Sequence, residues 1–312
     1  MNHFLWVEKY RPKDIDSCIL PDRIQQTFRD VVKSGQMPNM ILTGSAGSGK
    51  TTVARALCNE MNLDMLFINA SDESGIDVLR TKIRNFASTV SISGGNKVVI
   101  LDEADYLNPS STQPALRGFM EEFAANCRFI LTCNFKNRII EPLHSRCNLI
   151  DFKIFSSEKV SVAAKFSQRV KHILDAEGIS YNDKVIADLI IKNFPDFRKT
   201  INELQRYSLG GKIDVGILST SENNLGIKTL VKALKAKSFN EIRKWVIDNS
   251  DKDSSHLFRS IYDGLQDHLT PDSIPQAVLI ISEYQYKAAF VADHEINLTA
   301  CCISLAADCT FK

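Results

Sequence analysis

The sequence predicts an α/β domain built on a parallel sheet with helices on both faces, followed by a small helical domain and a further all-helical segment. Three features carry that prediction. Between residue 40 and about residue 152, short apolar, β-branched runs alternate with stretches of helical spacing. These runs are apolar throughout rather than alternately apolar and polar, as strands covered on both faces must be. After Phe155 the strand signals largely stop, while helical periodicity continues to the C-terminus.

Taken in order, "MILT" is the first strand, leading through "GSAGSGKT" at residues 44–51 into the helical "VARALCNEM". "MLFINA" then precedes "IDVLRTKIRNFAS", "KVVILDEAD" precedes "PALRGFMEEFA", and "RFILTCN" precedes "LIDFKI". In the second region, "SSEKVSVAAKFSQRVKHILDAEG" opens with Ser157 as a helix N-cap and closes with Gly178 as its C-cap. "NDKVIADLIIKNF" and "FRKTINELQRY" read as two more helices, stopped by Gly210 and Gly211. Beyond Lys212, amphipathic patterns such as "GIKTLVKALKA", "SHLFRSIYDGLQDHL" and "IPQAVLIISEYQYKAAF" predict a separate helical domain with no convergent polar constellation. The expected boundaries are 1–153, 154–212 and 213–312.

A chain of 312 residues fits about two or three domains. Its hydrophobic fraction of 44% and charged fraction of 24% are those of a globular protein. The net charge of +1 comes from 38 basic and 37 acidic side chains, so a nucleic-acid surface must be a local patch. The eight cysteines form no C-x-x-C pair and no Cys/His ligand spacing, and are expected to be reduced, mostly buried residues of a cytosolic protein. With no basic leader and no apolar run long enough to span a bilayer, the chain is expected to be neither secreted nor in a membrane.

Residues 44–51 fit G-x-x-x-x-G-K-[ST], where the N–H groups of a Gly-rich turn and a helix N-terminus surround phosphate oxygens. In that pattern Lys50 reaches the β- and γ-phosphates and the Thr51 hydroxyl ligates Mg²⁺. The apolar strand "KVVIL" delivers Asp102 and Glu103 to its C-terminal end, the edge at which open parallel sheets bind ligands. Asp102 suits the metal shell and Glu103 suits polarising a water for attack on the γ-phosphorus. Asn134, at the end of "RFILTCN", suits orienting that water or sensing the γ-phosphate, and equally suits turn chemistry. Arg146 and Arg198 are candidates for transition-state charge, with surface ion pairs as the plain alternative.

Together these residues resemble the AAA+ sliding-clamp loaders, the family of the replication factor C small subunits and of the large subunit of the T4-type phage loader. "WVEKYRP" at residues 6–12 is similar to that family's N-terminal signature. "ASDESGIDVLRTKIRNFAS", "IIEPLHSRC" and "FPDFRKTINELQRY" are similar to its later motifs, and "SRC" at residues 145–147 separates it from other phosphate-loop families. The resemblance runs from Trp6 to about Tyr207 and continues more weakly to the C-terminus; length and "NFPDFRKTI" point to the phage branch.

The resemblance implies an AAA+ ATPase domain, a helical lid and a helical collar. It implies ATP and Mg²⁺ as cofactors, with Tyr10, Arg11 and Pro12 near adenine and ribose. Gly47, Ser48, Gly49, Lys50, Thr51 and Thr52 surround the phosphates, and Thr51 and Asp102 hold the metal. Glu103 is then the general base, Asn134 the first sensor, Arg198 the second, and Arg146 an arginine finger acting on a neighbouring subunit's ATP. The implied partners are a sliding clamp, primer-template DNA, copies of this chain (four in all) and a distinct small subunit. The implied location is the cytoplasm, a host's if the chain is phage-encoded.

DNA contact falls on Ser74, Gly75, Arg80 and Arg84, the two arginines lying four apart on one helical face; a solvated face fits the same spacing. Two departures stand out. Ser45 and Ala46 replace the prolines usual in the family's loop, removing no ligand. "DEAD" at residues 102–105 is also a helicase motif, yet no second RecA-like half accompanies it. Rival functions are another AAA+ DNA motor of the branch-migration type and a non-hydrolysing ATP-binding scaffold. Intact Lys50, Asp102, Glu103 and Arg146 argue against the scaffold.

Overall fold

The structure, a computed structural model, describes residues 4–73, 75–89, 97–209, 211–213, 226–250 and 254–312. Ser74 and Gly210, both singled out from the sequence, lie outside these residues. The chain forms two compact units, Met1–Ile217 and Leu218–Lys312.

The first unit is built on five parallel strands: β1 (Met40–Thr43), β2 (Asp64–Asn69), β3 (Lys97–Asp102), β4 (Cys127–Cys133) and β5 (Asn148–Asp151). Their spatial order is β2-β3-β4-β1-β5. Alternate residues of one strand enter different cores, which is why the central strands β1, β3 and β4 are mostly apolar, while the edge strands β2 and β5 carry polar residues at their ends. Val99 and Leu101 of β3 and Phe129 and Leu131 of β4 pack under α4 (Ile76–Ser88) and α5 (Thr112–Glu122). Val98, Ile100 and Ile130 face the opposite core, with α2 (Asp22–Ser34) and α3 (Lys50–Glu60). α1 (Trp6–Lys9) precedes them and α6 (Glu141–His144) leads into β5. Ile100 and Ile130 expose no surface, so truncating either to Ala is expected to cost about 2–5 kcal/mol.

The helices after β5 are α7 (Lys159–Ala176), α8 (Asp183–Asn193) and α9 (Phe197–Ser208). The expected N-cap Ser157 is corrected by the structure. α7 starts one residue later, at Lys159, with Glu158 at the cap position, whose carboxylate turns back to accept the N–H of Phe155. Gly178 does stop the helix: at φ +69° it lets its own N–H reach Asp175 O and the Ile179 N–H reach Leu174 O. A two-stranded parallel pair, β6 (Ser180–Tyr181) with β7 (Lys212–Ile213), also lies in this region, too short for any sequence periodicity to reveal. Asn182 and Asp196 cap α8 and α9 through their side chains.

The second unit is helical among the described residues: α10 (Ile227–Lys235), α11 (Phe239–Ile247), α12 (Ser254–Leu265), α13 (Ser273–Lys287) and α14 (His294–Asp308). Its core includes Leu234, Trp245, Phe258, Cys301 and Cys302. All eight cysteines are free and seven are buried; burial pushes thiols such as that of Cys58 up to about 12, which keeps them protonated and inert. No helix among the described residues is long and apolar enough to cross a membrane.

Candidate active site

β4 lies between β1 and β3, so the C-terminal ends of these three strands open side by side onto one edge. β1 runs into the Gly-rich loop, β3 ends at Asp102 and Glu103, and β4 ends just before Asn134. Gly47 and Gly49 adopt φ values of +72° and +91°, a region in which a side chain costs roughly 1–2 kcal/mol. The loop thereby curls tightly and passes directly into α3, whose first residues are Lys50, Thr51 and Thr52. Ser48 closes the turn from within, its hydroxyl donating to Ser45 O at 2.8 Å.

Lys50 is buried, and its ammonium donates to Gly44 O, Ser45 O and Asn134 Oδ1, each at 2.9 Å. Burial lowers its pKa, with Arg198 adding to the effect and Asp102 and Asp105 opposing it. An ammonium at the start of α3, beside a loop whose glycines adopt positive φ, supplies the charge and donors that a triphosphate-binding loop requires. Asp102 Oδ1 accepts two hydroxyls at 2.6 Å, one from Thr51 and one from Thr132. Thr51 and Asp102 therefore converge as the oxygen pair suited to a hard divalent cation shared with phosphate. Glu103 sits at φ +56°, which turns its side chain into the cleft, while its N–H donates to Thr132 Oγ1 at 3.1 Å.

The cleft has an empty volume of about 1180 Å³, open solvent at its mouth included, and its far wall comes from two other segments. Tyr10, Arg11 and Pro12 line it from the N-terminal stretch, and Phe166, Ile173, Phe197 and Arg198 line it from α7 and α9. This wall is tied together by polar bonds. Glu177 Oε1 accepts Lys9 Nζ at 2.7 Å and the Tyr10 hydroxyl at 2.6 Å, and those two bonds hold its pKa below the usual carboxylate range. Arg169 donates to Tyr10 O at 2.8 Å, and Arg11 pairs with Glu8 while reaching Thr52 Oγ1 at 3.4 Å.

The remaining candidates lie elsewhere. Arg146 does not line the cleft; it is part-exposed and paired with Glu121 of α5 at 2.6 Å. Gly75 occupies the N-cap position of α4, Arg80 lies 3.8 Å from Asp77, and Arg84 lies 3.4 Å from Glu122.

Sequence reading passed over three residues of this site. Thr132 interrupts the apolar run Phe129–Leu131 of β4, and that polar residue in the buried part of the strand was the available signal. Asp196 carries an N-cap signal at the start of α9; its carboxylate lies against Gly47, and the Gly47 carbonyl accepts the Phe197 N–H at 3.3 Å. Arg169 is one basic residue among many on an amphipathic helix, and no sequence signal marked it.

A family model described as the AAA+ ATPase lid domain of the sliding-clamp-loader large subunit matches residues 158–219. One described as the ATPase family associated with various cellular activities matches residues 40–157. The sliding-clamp-loader large subunit of Enterobacteria phage T4 is 39% identical over 98% of this chain and 96% of its own length. Its counterpart from Escherichia phage RB69 is 45% identical over 76% of this chain and 75% of its own. The replication factor C small subunit of Methanoculleus marisnigri is 40% identical over 65% of this chain and 63% of its own. Among solved structures, the Thermotoga maritima RuvB Holliday junction branch migration motor superposes with a TM-score of 0.56. It covers 72% of this chain and 79% of that chain at 16% identity, a likeness of fold alone.

Proposed function

This chain belongs to the AAA+ sliding-clamp-loader family, and from that premise we propose how its cleft turns ATP binding and hydrolysis into loading of a ring-shaped clamp on primer-template DNA. The chain is a clamp-loader ATPase subunit. The observation that carries the mechanism is the convergence of Lys50, Asn134, Thr51 and Asp102 within hydrogen-bond distance at the ends of three neighbouring strands. The lid residue Arg198 lines the same cleft.

In this mechanism the backbone of Gly47, Ser48 and Gly49 cradles the phosphates, and Lys50 and Thr52 bind them. Thr51 and Asp102 hold Mg²⁺, which when bound offsets the charge of the β- and γ-phosphate oxygens. Glu103 accepts the proton of the attacking water, and Asn134 and Arg198 register the γ-phosphate. Tyr10, Arg11 and Pro12, fastened to the lid through Glu177 and Arg169, enclose adenine and ribose, so the lid closes on the base and on the γ-phosphate together.

Arg146 completes the site of a neighbouring copy. Its place outside this chain's own cleft supports that role, and its exposed ion pair with Glu121 is weak enough to be exchanged for a phosphate. The active form is then an assembly of copies of this chain, four in all, with a distinct small subunit, acting in the cytoplasm of the cell that replicates the DNA. Gly75, Arg80 and Arg84 on α4, with the neighbouring Ser74, track the duplex backbone. Among the described residues both arginines are held by exposed pairs that DNA phosphates can displace. Residues 1–153 serve as the ATPase domain, 154–212 as the lid and 213–312 as the collar joining subunits.

The test is a loading assay with labelled clamp, primed circular DNA and the assembled complex. ATP-dependent retention of clamp on DNA, absent with Lys50→Ala, is the expected result; retention without ATP, or none in a complete assembly, refutes the proposal.

A further inference from the structure

We propose that Asp105 is a positioning residue of the nucleotide site, its carboxylate fixing the turn from which Asn134 reaches the phosphate-binding Lys50. This rests on the reading of Asn134 as the γ-phosphate sensor and adds to it the group that sets the sensor's place.

Asp105 lies in the 3₁₀ turn Ala104–Tyr106, three residues beyond Asp102, and is only 6% exposed. Its Oδ2 accepts the N–H groups of both Asn134 and Phe135, each at 3.2 Å. Those two N–H groups follow Cys133, the last residue of β4, where strand pairing has ended. The carboxylate thus takes over where the ladder stops. Its other oxygen, Oδ1, is buried and has no hydrogen-bond partner among the described residues. A buried acceptor left unpaired costs about 1–3 kcal/mol, so a shorter or apolar residue would relieve that cost if the turn needed nothing from position 105.

The position of the turn decides where the sensor points. Asn134 Oδ1 already accepts one of the three Lys50 protons, so its amide NH₂ is the end left to meet a γ-phosphate oxygen. Thr132 meanwhile holds the backbone N–H of Glu103. The turn after β3 and the end of β4 are therefore tied in both directions: a β4 hydroxyl fixes the base, and a β3-turn carboxylate fixes the sensor. These two ties set the place of Glu103 and of Asn134 relative to the same pair of strand ends.

The test is equilibrium binding of ATPγS and ADP, with Mg²⁺, to the full-length chain carrying Asp105→Ala, Asp105→Asn, Asn134→Ala, or Asp105→Ala with Asn134→Ala. The quantity read is the preference for ATPγS over ADP. Asn134→Ala and Asp105→Ala each lower it by roughly tenfold, the double variant falls no further, and Asp105→Asn stays within about twofold of the parent because its carbonyl accepts the same two N–H groups. Asp105→Ser, too short to span both N–H groups, gives the same comparison if Asp105→Ala does not fold. An unchanged preference in Asp105→Ala or Asp105→Ser overturns the proposal, as does a double variant whose losses multiply or an Asn134→Ala variant with no loss. Because the readout is binding, a parent chain that binds both nucleotides without hydrolysing ATP counts against the ATPase mechanism and leaves this comparison intact.

Discussion

A side chain on Gly47 would collide with the lid, since a Cβ there would lie 1.9 Å from Asp196 Oδ1. The first turn of α9 is seated on the phosphate loop at this point, where the Gly47 carbonyl accepts the Phe197 N–H. Gly47→Ala should therefore both strain the loop, by about 1–2 kcal/mol, and push the lid away. Nucleotide affinity, read by titration, should drop roughly tenfold or more by this mechanism. Adding Asp196→Ala costs α9 its cap, about 1 kcal/mol, yet the pair should bind nucleotide better than Gly47→Ala alone. A pair that binds no better would mean the contact is not what limits the lid.

Thr132→Val keeps the shape of a fully buried side chain and removes its hydroxyl. The Glu103 N–H loses its acceptor and Asp102 loses one donor, a combined cost of about 1–3 kcal/mol in chemical stability. Turnover should fall further than ATP affinity, because the base is displaced while Lys50 and the loop stay in place. Thr132→Ser should restore both. Steady-state kinetics and chemical denaturation measure the two effects separately.

Glu103→Gln should bind ATP with unchanged affinity while turnover drops by about 10²–10⁴, the range for loss of a general base. Single-turnover hydrolysis checks this, and a variant still turning over at the parent rate removes Glu103 from that role.

Lys50 gives a pH dependence whose sign follows from its surroundings. Burial holds its pKa below the ordinary 10.5 in the free protein, whereas a triphosphate beside the ammonium favours the charged form and raises it. Between those two values the bound protein keeps a proton that the free protein has lost. Binding should then take up protons, and affinity should weaken as pH rises through the depressed value toward 10.5. Calorimetry in two alkaline buffers of different ionisation enthalpy reads the proton uptake directly; proton release would contradict this account.

How much of this was legible in the sequence depended on whether a signal was local. The phosphate loop, Asp102 and Glu103 announce themselves because spacing along the chain is their geometry: an apolar strand of fixed length delivers each to the same edge. The strand order β2-β3-β4-β1-β5, which brings Asn134 to Lys50 across 84 positions, comes from pairing that no local pattern encodes. Ser157 looked like a cap because Ser is a good one, but the Glu158 carboxylate takes the Phe155 N–H and the helix starts later. Thr132, Asp105 and Asp196 escaped notice for a related reason. Each acts on a site residue distant along the chain, Glu103, Asn134 and Gly47 in turn, through a contact visible only once two strands, or the lid and the loop, are side by side.

The most direct test of the central claim is steady-state ATPase activity of the assembled complex, with and without sliding clamp and primer-template DNA, for the parent chain and for Arg146→Ala. Clamp and DNA together should stimulate the parent strongly, and Arg146→Ala should lose ~10³-fold or more of that activity while binding ATP normally, as expected for an arginine acting on a neighbour's nucleotide. Activity indifferent to clamp and DNA, or undiminished in Arg146→Ala, would contradict the account.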